Sequence, residues 1–348
     1  MLLLHLATLT CSVPRAVAEN VVIVIADGLR REEVFGGAEG DLLASTDRTT
    51  QSTFGSDDPA ERRQRLMPFL WNTVVAHGQV LGDQAIGSTC EVTNRLNFSY
   101  PGYSETLCGF VDKRACRNDP IPNPNVTVLE WLNQRPAIHG RVASFGAWRT
   151  ISSVINKHRC QFVDVAGYEP VTGCKITPAL KTLNREKALS PRVWPDEVSD
   201  SVAFRSALEY TKANQPRVLF ISLGETDKWA HEARYDLYLN AAHRFDAYVS
   251  ELWTTLQAMP QYEGKTTLIL TCDHGRGTGR DWTSHGSKLP NSRYTWMAFL
   301  GPETSALGDV PRQNATNGQI ASTAAAALGY DYSWAQPRSA PPILSALR

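Results

Sequence analysis

The chain has 348 residues, enough for one large domain or two ordinary ones. With 42% hydrophobic and 20% charged residues it can build a substantial core. Lys and Arg (35) balance Asp and Glu (35), which argues against a nucleic-acid-binding surface and leaves a small anionic substrate open.

Taken in chain order, residues 1–18 come first. Leu2 to Cys11 form a short apolar run, and Ala16-Val17-Ala18 is a small-x-small pattern. This reads as a secretory signal peptide cut after Ala18, although no Lys or Arg precedes the run. The run is too short for a lasting membrane anchor, and no other stretch approaches transmembrane length. The expectation is an exported protein, periplasmic or secreted.

Residues 19–348 show no internal repeat and no low-complexity linker, so one domain is expected there. Val21–Ala26, Arg141–Phe145, Val218–Leu223, Thr267–Thr271 and Trp296–Leu300 are short β-branched apolar runs with little alternation, the pattern of strands buried on both faces. Helical patterns separate them: Met67–Ala76, Ala233–Leu256 and Ile320–Leu328. In the second, Tyr238, Ala242, Phe245, Val249, Leu252 and Leu256 repeat at spacings of four and three. The alternation predicts an α/β fold with a mostly parallel sheet. Residues 37–66 are polar and read as a long surface excursion, a cap over the site; 175–200 read as irregular. Cys108 with Cys116, and Cys160 with Cys174, close short loops that suit disulfides in an oxidising compartment, whereas Cys272 reads as a buried thiol.

The residues after the strands carry the chemistry, because open α/β sheets bind ligands beyond the carboxyl ends of their strands. Asp27 follows the first run. Asp227 follows "VLFISLGET", with His231 four residues on, one helical turn away. Asp273 and His274 follow "TLILTC". His285 lies in "TSHGSK", and Ser99 precedes a Tyr-Pro-Gly turn in "NFSYPGYSET". Each signal alone fits a polar turn or a helix cap. Together, three acids and three histidines suit Zn²⁺ or Mn²⁺, and two such ions roughly 4 Å apart can clamp the attacking and leaving oxygens of a phosphoryl transfer.

In that order "IADG", "FSYPGYSE", "GETDKWAH", "TCDHGRG" and "SHG" resemble the alkaline phosphatase superfamily, on the nucleotide pyrophosphatase/phosphodiesterase side. The resemblance runs from Val21 to about Tyr332. It implies a three-layer α/β/α domain over 19–348 with a small cap, hydrolysing phosphate monoesters or diesters with two divalent ions, zinc or alternatively manganese. Asp227, His231 and His285 would hold the first ion; Asp27, Asp273 and His274 the second. Ser99 would be the nucleophile on the second ion, forming a phosphoserine. Two dications and three aspartates leave one net positive charge, which suits an anionic substrate. Asn118 is the candidate oxyanion donor, with Asn97 and Asn94 as rivals. Arg30, Arg276, Arg280 and Lys288 lie beside the motifs, where each is expected on a solvated surface or facing a distal anionic group.

Sulfatases share the implied fold, but their nucleophile motif carries an arginine where this chain has Tyr103. Phosphonate hydrolysis is a further alternative. The stretch from Ser99 to Asp227 is too short for the inserted domain of phosphoglycerate mutases. A non-catalytic exported binding module would have lost a ligand or the nucleophile, and all seven positions keep a competent residue.

Overall fold

The computed structural model describes residues 18–347. The signal-peptide expectation therefore falls, except for Ala18, outside the described residues. No described helix is long and apolar enough to cross a membrane.

Among the described residues, eleven strands form two sheets: β1 (Asn20–Ala26), β2 (Gln79–Leu81), β3 (Thr89–Glu91), β4 (Val142–Gly146), β5 (Val163–Ala166), β6 (Val218–Leu223), β7 (Thr266–Thr271), β8 (Tyr294–Thr295), β9 (Met297–Leu300), β10 (Gly308–Asp309) and β11 (Asn314–Thr316). The main sheet has eight strands in the order β10-β2-β9-β7-β1-β6-β4-β5, and β11-β3-β8 form a small second sheet. From β7 to β5 all neighbours are parallel. The predicted strand Trp296–Leu300 is β9, which runs antiparallel to β7.

Strand β1 shows why the apolar runs lack alternation. Val22, Val24 and Ala26 join one buried cluster, and Val21, Ile23 and Ile25 join the other on the opposite face. Helices cover both faces, so every position from Val21 to Ala26 is apolar. Each buried Val or Ile contributes about 1.5–3 kcal/mol. The helix Tyr235–Gln257 covers the first face, and all six residues of its predicted stripe are buried. The expected helix near Met67 includes a wider π-helical stretch, Leu70–Val75, whose entry is held by Asp246: its carboxylate accepts from the N–H groups of Phe69 (2.7 Å) and Leu70 (2.8 Å).

Three expectations are corrected. Residues 37–66 are largely helical: Gly40–Leu43, Arg48–Phe54 and Pro59–Leu66 bury Leu43, Phe54 and Leu66 in the core cluster of the first face. They pack against the body of the fold, because Asp47 and Asp58 supply N-caps that the polar composition hid. Within 175–200, Pro178–Leu189 is a helix, leaving only the segment after it irregular. All six described cysteines are free; Cys108, on the helix Ser99–Cys108, is buried against Asn123 and Ser104 and not bonded to Cys116.

Candidate active site

Strands β7, β1 and β6 are adjacent and parallel, with Ile25 level with Thr271 and Ala26 level with Leu223. Their carboxyl ends therefore open at one place. Asp27 leaves directly from β1, Asp273 two residues beyond β7, and Asp227 on the helix Glu225–His231 that follows β6. The helix Ser99–Cys108 starts at the same place, and Gly102 lets it come close: a Cβ there would lie 2.2 Å from the Asp273 carbonyl oxygen. Gly28 turns the chain at φ 59°, and a Cβ on it would meet Arg276 Nη1 at 2.8 Å and Asp227 Oδ1 at 2.9 Å.

Seven predicted residues converge there in two groups. In the inner group, Ser99 Oγ lies 3.3 Å from His274 Nε2 and 3.5 Å from Asp27 Oδ1. His274 Nε2 lies 3.3 Å from Asp27 Oδ1 and 3.5 Å from Asp273 Oδ2. In the outer group, His231 Nε2 lies 3.0 Å from His285 Nε2 and 3.3 Å from Asp227 Oδ2, and His285 Nε2 lies 3.6 Å from Asp227 Oδ1. Donors bound at about 2.0–2.1 Å to a tetrahedral ion sit about 3.3–3.4 Å from one another. Both groups have that spacing. Asp227 lies between them, since its ligand atoms also fall within 4.8 Å of those of Asp27 and His274.

The residues fit cations in three further respects. His274 Nδ1 donates to the Gly275 carbonyl (2.8 Å) and His285 Nδ1 to that of Asn97 (3.1 Å), which turns both Nε2 lone pairs toward the centre. The Nε2 atoms of His231 and His285 face each other at 3.0 Å, which needs a proton or a cation between them. Asp273 Oδ2 is buried and receives no hydrogen bond.

The electrostatics agree. Burial, then the neighbouring Asp27, raise the Asp273 carboxyl well above the usual range. Burial opposes charge on His274, but Asp273 and Asp27 outweigh it and lift the imidazole to about 9. Burial and the adjacent His274 push His285 down to about 2. Burial also opposes charge on Asp227, yet the Arg276 guanidinium and the two nearby imidazoles hold its carboxyl well below the usual range. The inner group is acid-rich and nearly closed to water, a setting in which a divalent ion relieves the repulsion between carboxylates.

No protein-family model matches the sequence, and neither does any curated protein. Solved structures do match. The alkaline phosphatase PafA aligns at a TM-score of 0.59 and 11% identity, over 97% of this chain and 100% of its own. A phosphonate monoester hydrolase from Silicibacter pomeroyi aligns at 0.56 and 13%, over 94% and 76%. BT1596, a 2-O GAG sulfatase, aligns at 0.56 and 14%, over 95% and 74%. The fold is that of the alkaline phosphatase superfamily.

Within this alkaline-phosphatase fold, the flanking candidates separate. Asn118 is exposed, and its Oδ1 accepts from the Tyr100 N–H at 2.9 Å, at the start of the Ser99 helix. The Asn94 amide is committed to its own loop, accepting from Leu96 and Asn97 N–H groups and donating to Glu105. Asn97 is buried in the left-handed region at φ 53°. Arg280 and Lys288 are exposed as expected. Arg30 and Arg276 are not: both are fully buried, Arg30 against Glu33 and Glu39, Arg276 against Asp227. Each finds a carboxylate distant enough in sequence, or hidden enough in the fold, to escape a motif reading.

Several supporting residues escaped the sequence analysis. Tyr103 donates to Asp27 Oδ2 (3.2 Å) and accepts from Ser222 Oγ (2.9 Å). Thr226 Oγ1 donates to the Asp27 carbonyl at 2.5 Å. Asp200 accepts from the N–H groups of Gly224 (2.7 Å) and Glu225 (3.1 Å), fixing the start of the helix that carries Asp227 and His231. Tyr103 is one turn from Ser99, a spacing that could have identified it.

Proposed function

We propose that the protein is an exported hydrolase of phosphate esters that works with two divalent ions, zinc or manganese, and uses Ser99 as nucleophile. The observation that carries the reading is the position of Ser99 Oγ, 3.3 Å from His274 Nε2 and 3.5 Å from Asp27 Oδ1, inside the inner ligand group. Asp27, Asp273 and His274 would hold one ion with Ser99; Asp227, His231 and His285 would hold the other. When bound, the ions favour the serine alkoxide and offset charge on the phosphoryl oxygens.

In the first step a Ser99 Oγ–P bond forms, the P–O bond to the leaving group breaks, the Oγ proton passes to solvent, and the departing alkoxide takes a proton from solvent. The products are an alcohol and a phosphoserine, which for a diester substrate still carries the second ester group. Water then attacks phosphorus, the P–Oγ bond breaks, and Ser99 regains a proton. A monoester releases inorganic phosphate; a diester releases a phosphomonoester. The first ligands in these steps are a small anionic substrate and water.

Tyr103 supports a phosphorus ester over a sulfate ester because the chain lacks the arginine of the sulfatase nucleophile motif at this position. Its hydroxyl is held between Asp27 and Ser222, at the position where the sulfatase motif requires arginine. The test compares kcat/KM for an aryl phosphate, a bis-aryl phosphate, an aryl phosphonate ester and an aryl sulfate, with zinc or manganese added. A phosphorus ester should be the best substrate, and Ser99→Ala should lower its kcat by about 10³-fold or more. An aryl sulfate as the best substrate, or full activity in Ser99→Ala, would overturn the reading.

A further inference from the structure

Arg276 was expected at the surface and lies instead under the outer ligand group. Its Nε donates to the Trp282 carbonyl (2.9 Å) and its Nη2 to that of Thr283 (2.7 Å), while Nη1 contacts Asp227 Oδ1. The three contacts fix the guanidinium fork, and the residue is 1% exposed. Gly28 leaves the space that Nη1 and Asp227 Oδ1 occupy together.

The two ligand groups consequently differ in charge and in access. The inner one combines two carboxylates, Asp27 and Asp273, with no arginine or lysine among the described residues ion-paired to either, and Asp27, Asp273 and His274 are nearly closed to solvent. The outer one has a single carboxylate, and Arg276 has already neutralised it. Its His231 side chain is 45% exposed. A fixed cation on a ligand oxygen competes for that oxygen's lone pairs and repels an incoming dication.

We propose that Arg276 is a positioning residue that makes the two metal sites unequal: the inner ion is held tightly, and the outer ion is held weakly and is the one exchanged with solution. The inference rests on the two-ion reading above. Its consequence is that the fully loaded protein forms only when free metal is high, with Arg276 setting the threshold.

The test reads metal content directly. Zinc-loaded protein is dialysed against a series of chelator-buffered zinc solutions, and zinc per chain is measured by atomic emission. Wild type should lose one equivalent at a free-zinc concentration at least about tenfold above that at which it loses the second. In Arg276→Gln the weaker equivalent should tighten by about tenfold or more, bringing the steps together. Arg276→Lys, which keeps the charge, should keep them apart, and Arg276→Met, which also removes the charge, replaces the glutamine variant if that one fails to fold by circular dichroism. Asp273→Asn should weaken the tight equivalent. Loss of both ions in one step from wild type, or an unchanged weak step in Arg276→Gln, overturns the inequality while leaving two ions in place. A chain that never exceeds one equivalent at millimolar zinc overturns the two-ion reading itself.

Discussion

The hydroxyl of Tyr103 ties the inner ligand group to the sheet. It holds Asp27 from one side and receives Ser222 of β6 from the other, while its ring packs edge-on against Phe220. Tyr103→Phe keeps the ring and removes both hydrogen bonds. Losing a hydrogen bond that orients a metal-binding carboxylate typically lowers metal affinity by about 10- to 100-fold, so zinc titration calorimetry should show a loss in that range. Ser222 keeps its hydroxyl without this acceptor, and urea unfolding should show a loss of about 1 kcal/mol. Unaltered zinc affinity would remove Tyr103 from the support of the site. The three acids that converge at the strand ends were legible because each follows an apolar run, where a charge stands out. Tyr103 was not, because a tyrosine among aromatic neighbours reads as core. Arg276 was misread for the opposite reason: a lone arginine beside two glycines looks solvated until Asp227, 49 residues away, is brought against it.

At the scale of elements, the site depends on how closely the Ser99 helix approaches the end of β7. Gly102→Ala would press a methyl into the Asp273 carbonyl. Such overpacking costs about 1–3 kcal/mol, and a shift of about 1 Å in the nucleophile can lower the rate about 10²-fold. Thermal unfolding and kcat measured together should show both losses. A second element contact is titratable. Burial lifts the Asp246 carboxyl to about 7, against the lowering effect of its two backbone donors. That is above the value of about 3.9 for an unfolded chain, so the folded state binds this proton more tightly. The contribution of Asp246 to stability is then greatest at low pH and declines as pH rises from about 4 to about 7, by about 4 kcal/mol at most. In Asp246→Asn the urea midpoint should lose that component of its pH dependence; a profile parallel to wild type would contradict it. Long buried strands and the long amphipathic helix were legible because their patterns are unambiguous. The short helices Arg48–Phe54 and Pro59–Leu66 were not, because each buries few apolar side chains, and only the Asp caps and Pro59 signalled them.

For the molecule as a whole, the site is anchored to the buried centre of the main sheet. Its three aspartates leave the three adjacent strands β7, β1 and β6, each buried on both faces. Ions bound there stabilise the folded chain by mass action, by about 2.7 kcal/mol for one site at a hundredfold excess over its Kd. Scanning calorimetry should therefore show Tm falling after EDTA treatment and rising with free zinc, and a zinc-independent Tm would count against the metal centre. The antiparallel direction of β9 and the small sheet β11-β3-β8 were not legible, because strand direction is set by partners that a local run of residues does not name.

The spread of the ligands along the chain has a consequence for biosynthesis. Asp27 opens the inner set and His274 closes it, while the outer set waits for His285. At roughly 5–20 residues per second, on the order of 10–50 s separate the first ligand from the last during translation. No growing chain shorter than 274 residues contains the complete inner set, and none shorter than 285 contains the complete outer set. On the two-ion reading proposed above, each site would load late in synthesis, after the strands β1, β6 and β7 that precede the acids have been made.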